Sequence, residues 1–150
     1  MVSSIKKKLN PQNMPLYLEI VTPDSITFSK EVESVVIPTA NGRIDILPKH
    51  IPIIDKVVPG YLKIEHEGEF DYISINTGFM EVYGNKVSIL TDGAAKVSEE
   101  DEQAIEEAIQ KAEKALQQAK DSNIEQAQLE QLEAAARFEM SKKIARSKTR

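Results

Sequence analysis

A short stretch in the first third of the chain brings a base, an acid and a histidine within eight positions of one another. The segment "GRIDILPKHIPII", from Gly42 to Ile54, contains Arg43, Asp45 and His50 between apolar residues and two prolines. These residue types could begin an acid–base site, because proton transfer needs groups within hydrogen-bond reach of each other. They could equally form the polar rim of a docking surface.

The rest of the sequence offers this stretch few chemical partners. The only histidines are His50 and His66, and they lack the helical spacing with a carboxylate that marks zinc sites. No glycine-rich phosphate loop is present, and the lack of cysteine excludes thiolate ligands. Ser34 or Ser74 could approach His50 in space, but neither stands in a nucleophile motif. We therefore expect no catalytic residue, no metal site and no cofactor.

Composition narrows the class of protein further. The 150 residues suit one domain, or a small domain with an appendage, and 41% of them are hydrophobic. A formal net charge of -5 argues against nucleic acid as the main partner, since phosphate binding needs a basic face. No apolar run approaches the roughly 20 residues that span a bilayer. Residues 1-15 carry a basic cluster without an apolar segment behind it, which predicts a flexible lead-in and not a secretory signal.

The composition changes near residue 94, and residues 16-93 are typical of a mainly β domain. Apolar and polar residues alternate in "LYLEIVT", and similar segments follow at short intervals: "EVESVVIPT", "GRIDIL", "YLKIEHE", "FDYISIN", "FMEVYG" and "KVSILT". Many short strands with regular turns favour a sandwich or flattened barrel. Asn41-Gly42 suits turn positions with positive φ.

Residues 94-150 contain no proline or glycine and predict two antiparallel helices joined by a short connector. Ser98 with Asp101 and Ser122 with Glu125 resemble capping boxes at the two helix starts. Apolar stripes of helical period are expected at Ala104, Ile105, Ala108, Ile109, Ala112, Ala115, Leu116 and Ala119, and at Leu129, Leu132, Ala136, Met140 and Ile144. The first stripe is mostly alanine, which contributes little hydrophobic free energy. The pair could complete a core, or it could be a mobile arm whose docked and released states differ by a few kcal/mol.

Three segments carry a resemblance to a known family: "IVTPDSITFSKEVESVVIPTANG", "GRIDILPKHIP" and "GFMEVYGNKVSILTD", followed by an alanine-rich helical tail. Over residues 16 to 146, the chain resembles the epsilon subunit of F-type ATP synthases. The resemblance implies a β-sandwich followed by two helices and a subunit without chemistry of its own. It implies binding to the gamma subunit and the c-ring in ion-gradient-driven ATP synthesis. It also implies helices that extend toward the alpha and beta subunits and restrain ATP hydrolysis. The expected location is the cytoplasmic face of a bacterial cell membrane, peripheral and within the complex.

The resemblance assigns roles to residues of the opening stretch. Arg43 occupies a position that the family uses near the c-ring, and His50 one that it uses near gamma. Glycine is usual in the family where Asp45 and Lys49 stand, so we expect a more charged and less pliable loop. The expected partner-binding residues are Gly42, Arg43, Asp45, Leu47, Pro48, Lys49, His50 and Pro52. The expected regulatory contacts to alpha and beta come from the basic face of the second helix, at Arg137, Lys142, Lys143 and Arg146.

Some bacterial members of the family bind ATP through an aliphatic-Asp-x-x-Arg-Ala motif on the first helix. The matching residues here are "EDEQAI", Glu100 to Ile105, which keep Asp101 but have Ala104 in place of the arginine. Loss of the guanidinium removes a charge-assisted donor to nucleotide oxygens, and the acidic neighbours repel phosphates. We expect no ATP binding; Asp101 and Arg137 are the remaining candidates.

One alternative of a different class stays open at this point. The chain could be a free-standing β-sandwich adaptor whose helical arm binds other partners and has no role in a motor. Co-purification with gamma separates the two hypotheses. The sequence leaves open whether the resting arm is folded or extended.

Overall fold

The computed structural model describes residues 15–97 and 102–149, which form a β-sheet structure followed by two helices. The elements are β1 Leu16–Val21, β2 Ile26–Val32, β3 Ser34–Thr39, β4 Gly42–Ile46, β5 Ile53–Val57, β6 Gly60–His66, β7 Glu69–Ile75, β8 Gly78–Tyr83, β9 Lys86–Thr91, β10 Ala94–Lys96, α1 Glu102–Lys120 and α2 Gln126–Lys148.

The strands form a nearly closed sandwich or barrel, as the sequence predicts. Their order is β10-β7-β6-β3-β5-β8-β9-β1-β2, and β4 pairs with β3 outside this path. Neighbours run antiparallel except for β1 and β9, which are parallel. The far strand β2 comes into contact with β6, so the sheet curls almost into a closed wall. Closure removes exposed sheet edges and encloses one core.

The core is built by the alternation that the sequence shows. In β1, Leu16, Leu18 and Ile20 are buried, whereas Tyr17 is exposed. The shorter strand β4 follows the same rule, and Ile46 is its buried end. Each fully buried leucine or isoleucine contributes about 1.5–3 kcal/mol relative to exposure. This inner layer therefore fixes which residues of β4 point outward.

Three strands are absent from the sequence prediction. The predicted strand "EVESVVIPT" is divided at Glu33, with β2 before it and β3 after it. Strand β5 follows a proline-rich loop, and β10 lies where the composition already looks helical. Strand β10 pairs with β7, with Ala94 opposite Ile75. Tertiary pairing thus overrides weak local propensity at β10.

Turn and cap predictions have mixed outcomes. Gly42 has φ of 108°, as expected, but Asn41 is not among the positive-φ residues and the turn residues are Ala40 and Asn41. The predicted cap at Ser122 is wrong. Its hydroxyl donates to the Gln118 carbonyl oxygen at 2.9 Å, at the end of α1, and α2 starts after Glu125 without a side-chain cap bond. The predicted cap from Ser98 to Asp101 lies outside the described residues.

The two helices are antiparallel, because Glu102 and Glu106 at the start of α1 contact Arg146 and Lys143 at the end of α2. The stripe of α1 is confirmed at Ile105 and Ile109 in its first half and at Ala119 near its end, which are all buried. The members of the predicted stripes that lie on exposed surface are Ala104, Met140 and Ile144.

Helix α2 differs from the prediction because it packs against two partners at once. Its buried residues are Ala136, Ser141 and Ala145. One side faces α1, and another side packs on β6 and β7. Met140 and Ile144 point away from both neighbours, with 40% and 45% of their surface exposed. A single apolar stripe cannot describe a helix that is covered from two directions.

Candidate functional site

The structure does not assemble the acid, base and histidine of the opening stretch into one cluster. Arg43 and Asp45 lie exposed on the outer face of β4. Arg43 lies near the beginning of β4, about 10 Å along the strand from its last residue, Ile46. Its guanidinium carbon lies 4.4 Å from the centre of the Tyr61 ring. His50 lies beyond the strand, where its Nδ1 is 2.7 Å from the Ile51 carbonyl oxygen. This geometry favours the docking surface.

No hydrogen bond joins His50 to Ser34 or Ser74 in the part of the chain that the structure describes. The Ser34 hydroxyl donates to Glu65 Oε2 at 3.2 Å. Ser74 is fully buried in β7. Within residues 15–97 and 102–149, no group of three histidine or carboxylate side chains could hold a metal ion.

The loop after β4 begins with a tight turn. The His50 amide donates to the Leu47 carbonyl oxygen at 3.2 Å, which closes a turn of four residues. Pro48 fixes the second position, and Lys49 has φ of 68° at the third. Proline followed by positive φ is the geometry of a type II turn, which favours glycine at that third position. Lys49 is therefore held in a conformation that L side chains rarely adopt.

Apolar side chains project from and beside this turn. Leu47, Ile51 and Ile54 are 53%, 74% and 73% exposed. Clustered exposed apolar residues mark interaction sites more often than isolated ones do. Leu47 was expected from the sequence, whereas Ile51 and Ile54 were missed. The sequence did contain an indication of their exposure. Ile51 precedes Pro52 and Ile54 follows it, and no alternating pattern would bury both side chains.

The other end of β4 is braced by polar contacts. The Thr39 hydroxyl donates to the Gly42 carbonyl oxygen at 2.7 Å and accepts from the Asn41 amide at 3.2 Å. The Asn41 side-chain amide lies 3.5 Å from both carboxylate oxygens of Asp55. These bonds link the turn to β5, so the strand that carries Arg43 is fixed at its beginning.

Two of the expected regulatory residues on α2 pair with carboxylates of α1. The Lys143 ammonium lies 3.1 Å from Glu106, and Arg146 Nε lies 3.4 Å from Glu102. Arg146 also donates to the Val97 carbonyl oxygen at 3.0 Å, which ties the end of α2 to the end of the sheet. In this folded arrangement the chain's own carboxylates face both cations.

The other two expected regulatory residues, Lys142 and Arg137, have different surroundings. Lys142 lies 3.4 Å from Glu139 on its own helix, and its ammonium lies 4.8 Å from the centre of the Phe138 ring. Arg137 is exposed on the side of α2 that also carries Met140 and Ile144. Lys142, Lys143 and Arg146 thus form ion pairs within the folded chain, whereas Arg137 lies on the exposed side of α2.

A cavity of about 500 Å³ lies between the start of α1 and the end of α2, and its lining includes Glu102, Gln103 and Ile105 from the segment that corresponds to the nucleotide motif. Its charged lining consists of Glu102, Glu106, Lys143 and Arg146. The carboxylates already face the cations, and they would repel a phosphate group. Asp101, one of the two weak nucleotide candidates, lies outside the described residues. The expectation that ATP does not bind stays a prediction.

Small residues separate α2 from the sheet. Ser141 and Ala145 are 4% and 0% exposed, and Ser74 of β7 is 0% exposed. The Ser74 hydroxyl has no hydrogen-bond partner among the described residues. Phe138 is the large residue of this contact and reaches Gly93, where an added Cβ would lie 3.5 Å from its ring. An interface of this kind supplies little hydrophobic free energy and leaves a buried hydroxyl unsatisfied.

The first half of α2 lies even more loosely over the sheet. A cleft of about 770 Å³ separates Ala127, Gln131 and Ala134 from the outer face of β8 and β9. Phe79 and Leu90, which line the cleft, remain 61% and 57% exposed. Helix α2 is therefore held mainly by its second half.

Comparison with known proteins identifies the family. The family model described as "ATP synthase, Delta/Epsilon chain, beta-sandwich domain" matches residues 15–97. The ATP synthase epsilon chain of Herpetosiphon aurantiacus is 36% identical over 86% of this chain and 96% of its own length. That of Thioalkalivibrio sulfidiphilus is 35% identical over 89% of this chain and 96% of its own. The epsilon chain of Chloroflexus aggregans is 40% identical over 63% of this chain and 68% of its own.

Solved structures show the same arrangement of elements. A chain of the Euglena gracilis mitochondrial ATP synthase, determined with OSCP, F1 and c-ring, matches with a TM-score of 0.68 and 25% identity over 87% of this chain and 81% of its own. A chain of the Tetrahymena thermophila mitochondrial ATP synthase central stalk and c-ring shares the fold, with a TM-score of 0.50 and 17% identity over 57% of this chain and 69% of its own. Neither helix of the described chain has a stretch apolar enough to cross a membrane. By its β-sandwich, its sequence relatives and these structures, the chain belongs to the family of ATP synthase epsilon chains.

Proposed function

We propose that the chain is a non-catalytic subunit of a rotary ATP synthase with two roles. Its β-sandwich couples the gamma subunit to the c-ring, and its helices restrain ATP hydrolysis through contacts with alpha and beta. Family membership and the complexes in which the structural relatives were determined support the assembly. The observation that carries the coupling role is the exposed apolar loop next to β4.

The coupling surface combines a braced strand with a constrained turn. Leu47 and Ile51 offer apolar area, and Lys49, which is exposed, and His50, which is half-buried, add polar groups next to them in the chain. Burying the exposed part of one such aliphatic side chain contributes about 1.5–3 kcal/mol. A preformed loop also loses little conformational entropy on binding. We assign this surface to gamma and the outer face of β4, with Arg43 and Asp45, to the c-ring.

Co-purification with gamma tests the coupling surface. Ile51→Asp should weaken gamma binding by about tenfold or more, because a charge replaces an apolar group in the contact. Ile26→Asp is the matched control, since Ile26 is 62% exposed but lies in β2, outside the proposed surface. Equal binding by the two variants would refute the assignment of the loop to gamma.

The regulatory role requires the helices to leave the sheet at moderate free energy. Each partly exposed ion pair between α1 and α2 contributes about 0.2–1 kcal/mol. The small-residue interface under α2 adds only a modest hydrophobic term. A docked arm held in this way can be displaced by a partner that binds the same cations. In the released state, Lys143 and Arg146 leave Glu106 and Glu102 and become available to an acidic surface of beta.

Charge removal on α1 tests this competition in the full chain. The double variant Glu102→Gln, Glu106→Gln should favour the released arm and strengthen inhibition of ATP hydrolysis in the assembled complex. Glu113→Gln is a matched control, because Glu113 is an exposed carboxylate of α1 outside the paired end. Weaker inhibition by the double variant than by the control would contradict the competition.

The division of labour between strands and helices is also a proposal. The sequence predicts a boundary near residue 94, but β10 pairs with β7 and Val97 is buried. We therefore propose a fragment that ends at Val97, which keeps all ten strands of the described residues. It should bind gamma and lose inhibition of ATP hydrolysis. Loss of gamma binding by this fragment, with its strands still folded, would overturn the division.

Attachment to the membrane would occur through the assembled complex, on the cytoplasmic face of the cell membrane. We further propose that ATP is not a ligand of the folded helices. The carboxylates that line the cavity between α1 and α2 support this assignment.

A further inference from the structure

One tyrosine ring contacts cations from two distant parts of the chain. The guanidinium of Arg43, in β4, lies 4.4 Å from the centre of the Tyr61 ring. The ammonium of Lys148, the last residue of α2, lies 5.6 Å from the same centre. Both distances fall within the range of a cation–π attraction. The β4 surface and the end of the helical arm therefore meet at Tyr61.

The sheet brings Arg43 to this ring. Arg43 pairs with Pro38 in β3, and β3 pairs in turn with β6, the strand that carries Tyr61. The packing of β6 against Pro38 is close, since a Cβ added at Gly60 would lie 3.0 Å from the proline ring. Arg43 and Tyr61 are thus held on one outer face by strand pairing.

Helical spacing brings Lys148 to the same ring. Phe138 reaches Gly93, at the edge of the sheet, and Ser141 and Ala145 are buried one and two turns further along α2. Lys148 follows at the next position of this stripe. Its contact with Tyr61 therefore forms only when α2 lies on the sheet.

Two cations that share one ring oppose each other. Each is attracted by the negative potential of the ring face, and each repels the other as a like charge. The Tyr61 ring also has a tilted contact with Tyr72, at a centroid distance of 6.1 Å, which restricts its rotation. The Tyr61 ring therefore cannot rotate freely, and its interactions with Arg43 and Lys148 depend on each other.

We infer that Tyr61 is a positioning residue that couples Arg43 negatively to the docking of α2. Withdrawal of Arg43 from the ring by an anionic group strengthens the contact of Lys148 and favours the docked arm. Release of α2 leaves the ring to Arg43 alone and holds that guanidinium more firmly. The inference extends the proposed function, but the coupling exists within one chain and is tested without any partner.

An engineered thiol measures docking directly. The chain contains no cysteine, so Ser141→Cys introduces a single, nearly isosteric thiol on the buried face of α2. Its rate of reaction with a small maleimide reports how often α2 leaves the sheet. All further variants are made in this background, and urea denaturation of each confirms that the strands remain folded.

The coupling predicts opposite effects of the two cations. Lys148→Gln should accelerate labelling by about two- to fivefold, the range of exposed cation–π contacts, and Arg43→Gln should slow it by up to the same factor. In the Lys148→Gln background, Arg43→Gln should have no effect. Lys63→Gln is the matched control, because its ammonium lies over the Phe70 ring at 4.3 Å and not over Tyr61. It should leave the rate unchanged.

The aromatic ring itself is tested by a conservative pair. Tyr61→Phe should preserve the effect of Arg43→Gln, and Tyr61→Leu should reduce it, because only the direct repulsion between the two cations then remains. If Tyr61→Leu does not fold, the Arg43 and Lys148 double-mutant cycle decides alone. Additive effects of Arg43→Gln and Lys148→Gln, or faster labelling of Arg43→Gln, would overturn the inference. Either result leaves gamma binding and the proposed function untouched.

Discussion

The strained turn at Lys49 predicts that replacement by glycine stabilises the protein. Lys49 has φ of 68° at the third position of the Leu47–His50 turn. Holding an L residue in the left-handed region costs about 1–2 kcal/mol, because Cβ approaches the following carbonyl oxygen. Glycine removes that term but loses about 0.5–1 kcal/mol through its greater freedom in the unfolded chain. Lys49→Gly should therefore raise the free energy of unfolding by about 0.5–1 kcal/mol.

Urea denaturation followed by tyrosine fluorescence measures this change. The chain has no tryptophan, and its four tyrosines all precede residue 98, so the signal reports the strands. With a denaturant slope of about 2 kcal/mol per M, the midpoint should rise by about 0.3–0.5 M. The slope itself should stay constant, since the surface exposed on unfolding does not change.

Lys49→Ala separates backbone strain from loss of the lysine charge. Alanine keeps Cβ and therefore the strain, so this variant should have the stability of the parent within about 0.5 kcal/mol. A glycine variant that is no more stable than the alanine variant would refute the assignment of strain. If both variants gained stability equally, the charge of Lys49 and not its φ would be the cause.

Four further predictions concern other parts of the chain. Gly78→Ala should lower the free energy of unfolding by about 3 kcal/mol or more in urea, because the added Cβ would lie 1.9 Å from the Leu90 carbonyl oxygen. Glu67→Asn should raise it by about 0.5 kcal/mol while Glu67→Ala does not, since Glu67 has φ of 51° in a two-residue hairpin turn that favours asparagine. Ser74→Ala should stabilise the docked arm by about 1 kcal/mol, measured by slower proteolysis of α2, because it removes a buried hydroxyl that lacks a hydrogen-bond partner among the described residues. Calorimetry with Mg-ATP should detect no micromolar binding, and detection of such binding would contradict the reading of the cavity between α1 and α2.

Much of the fold follows from local patterns. The alternation of β1 and the period of α1 are each set by one buried face, and a single face leaves a readable period in the sequence. The resemblance of the segment "GRIDILPKHIP" to its family likewise rests on local residues. The resemblance implies that glycine is usual at position 49, and the φ of 68° at Lys49 is a conformation that glycine adopts without strain.

Other predictions from the sequence were wrong for identifiable reasons. Strand β10 is three residues long and alanine-rich, so its only strong determinant is its pairing with β7. The predicted cap at Ser122 failed because Glu125, and not Ser122, stands immediately before α2, and the Ser122 hydroxyl donates to the Gln118 carbonyl oxygen at the end of α1. The stripe through Met140 and Ile144 failed because α2 is buried from two directions and the exposed sector lies between them.

The sequence by itself determined the class of fold, the membership of a family and the identity of the residues at the β4 surface. Only the tertiary structure decided what those residues contact. The pairing of Lys143 with Glu106, and of Arg43 and Lys148 with one tyrosine ring, joins residues far apart in the chain. Such contacts depend on how the sheet curls and where α2 lies on it, and no period in the sequence encodes that placement. The opening stretch could therefore be read as polar and exposed, but its connection to the helical arm required the folded chain.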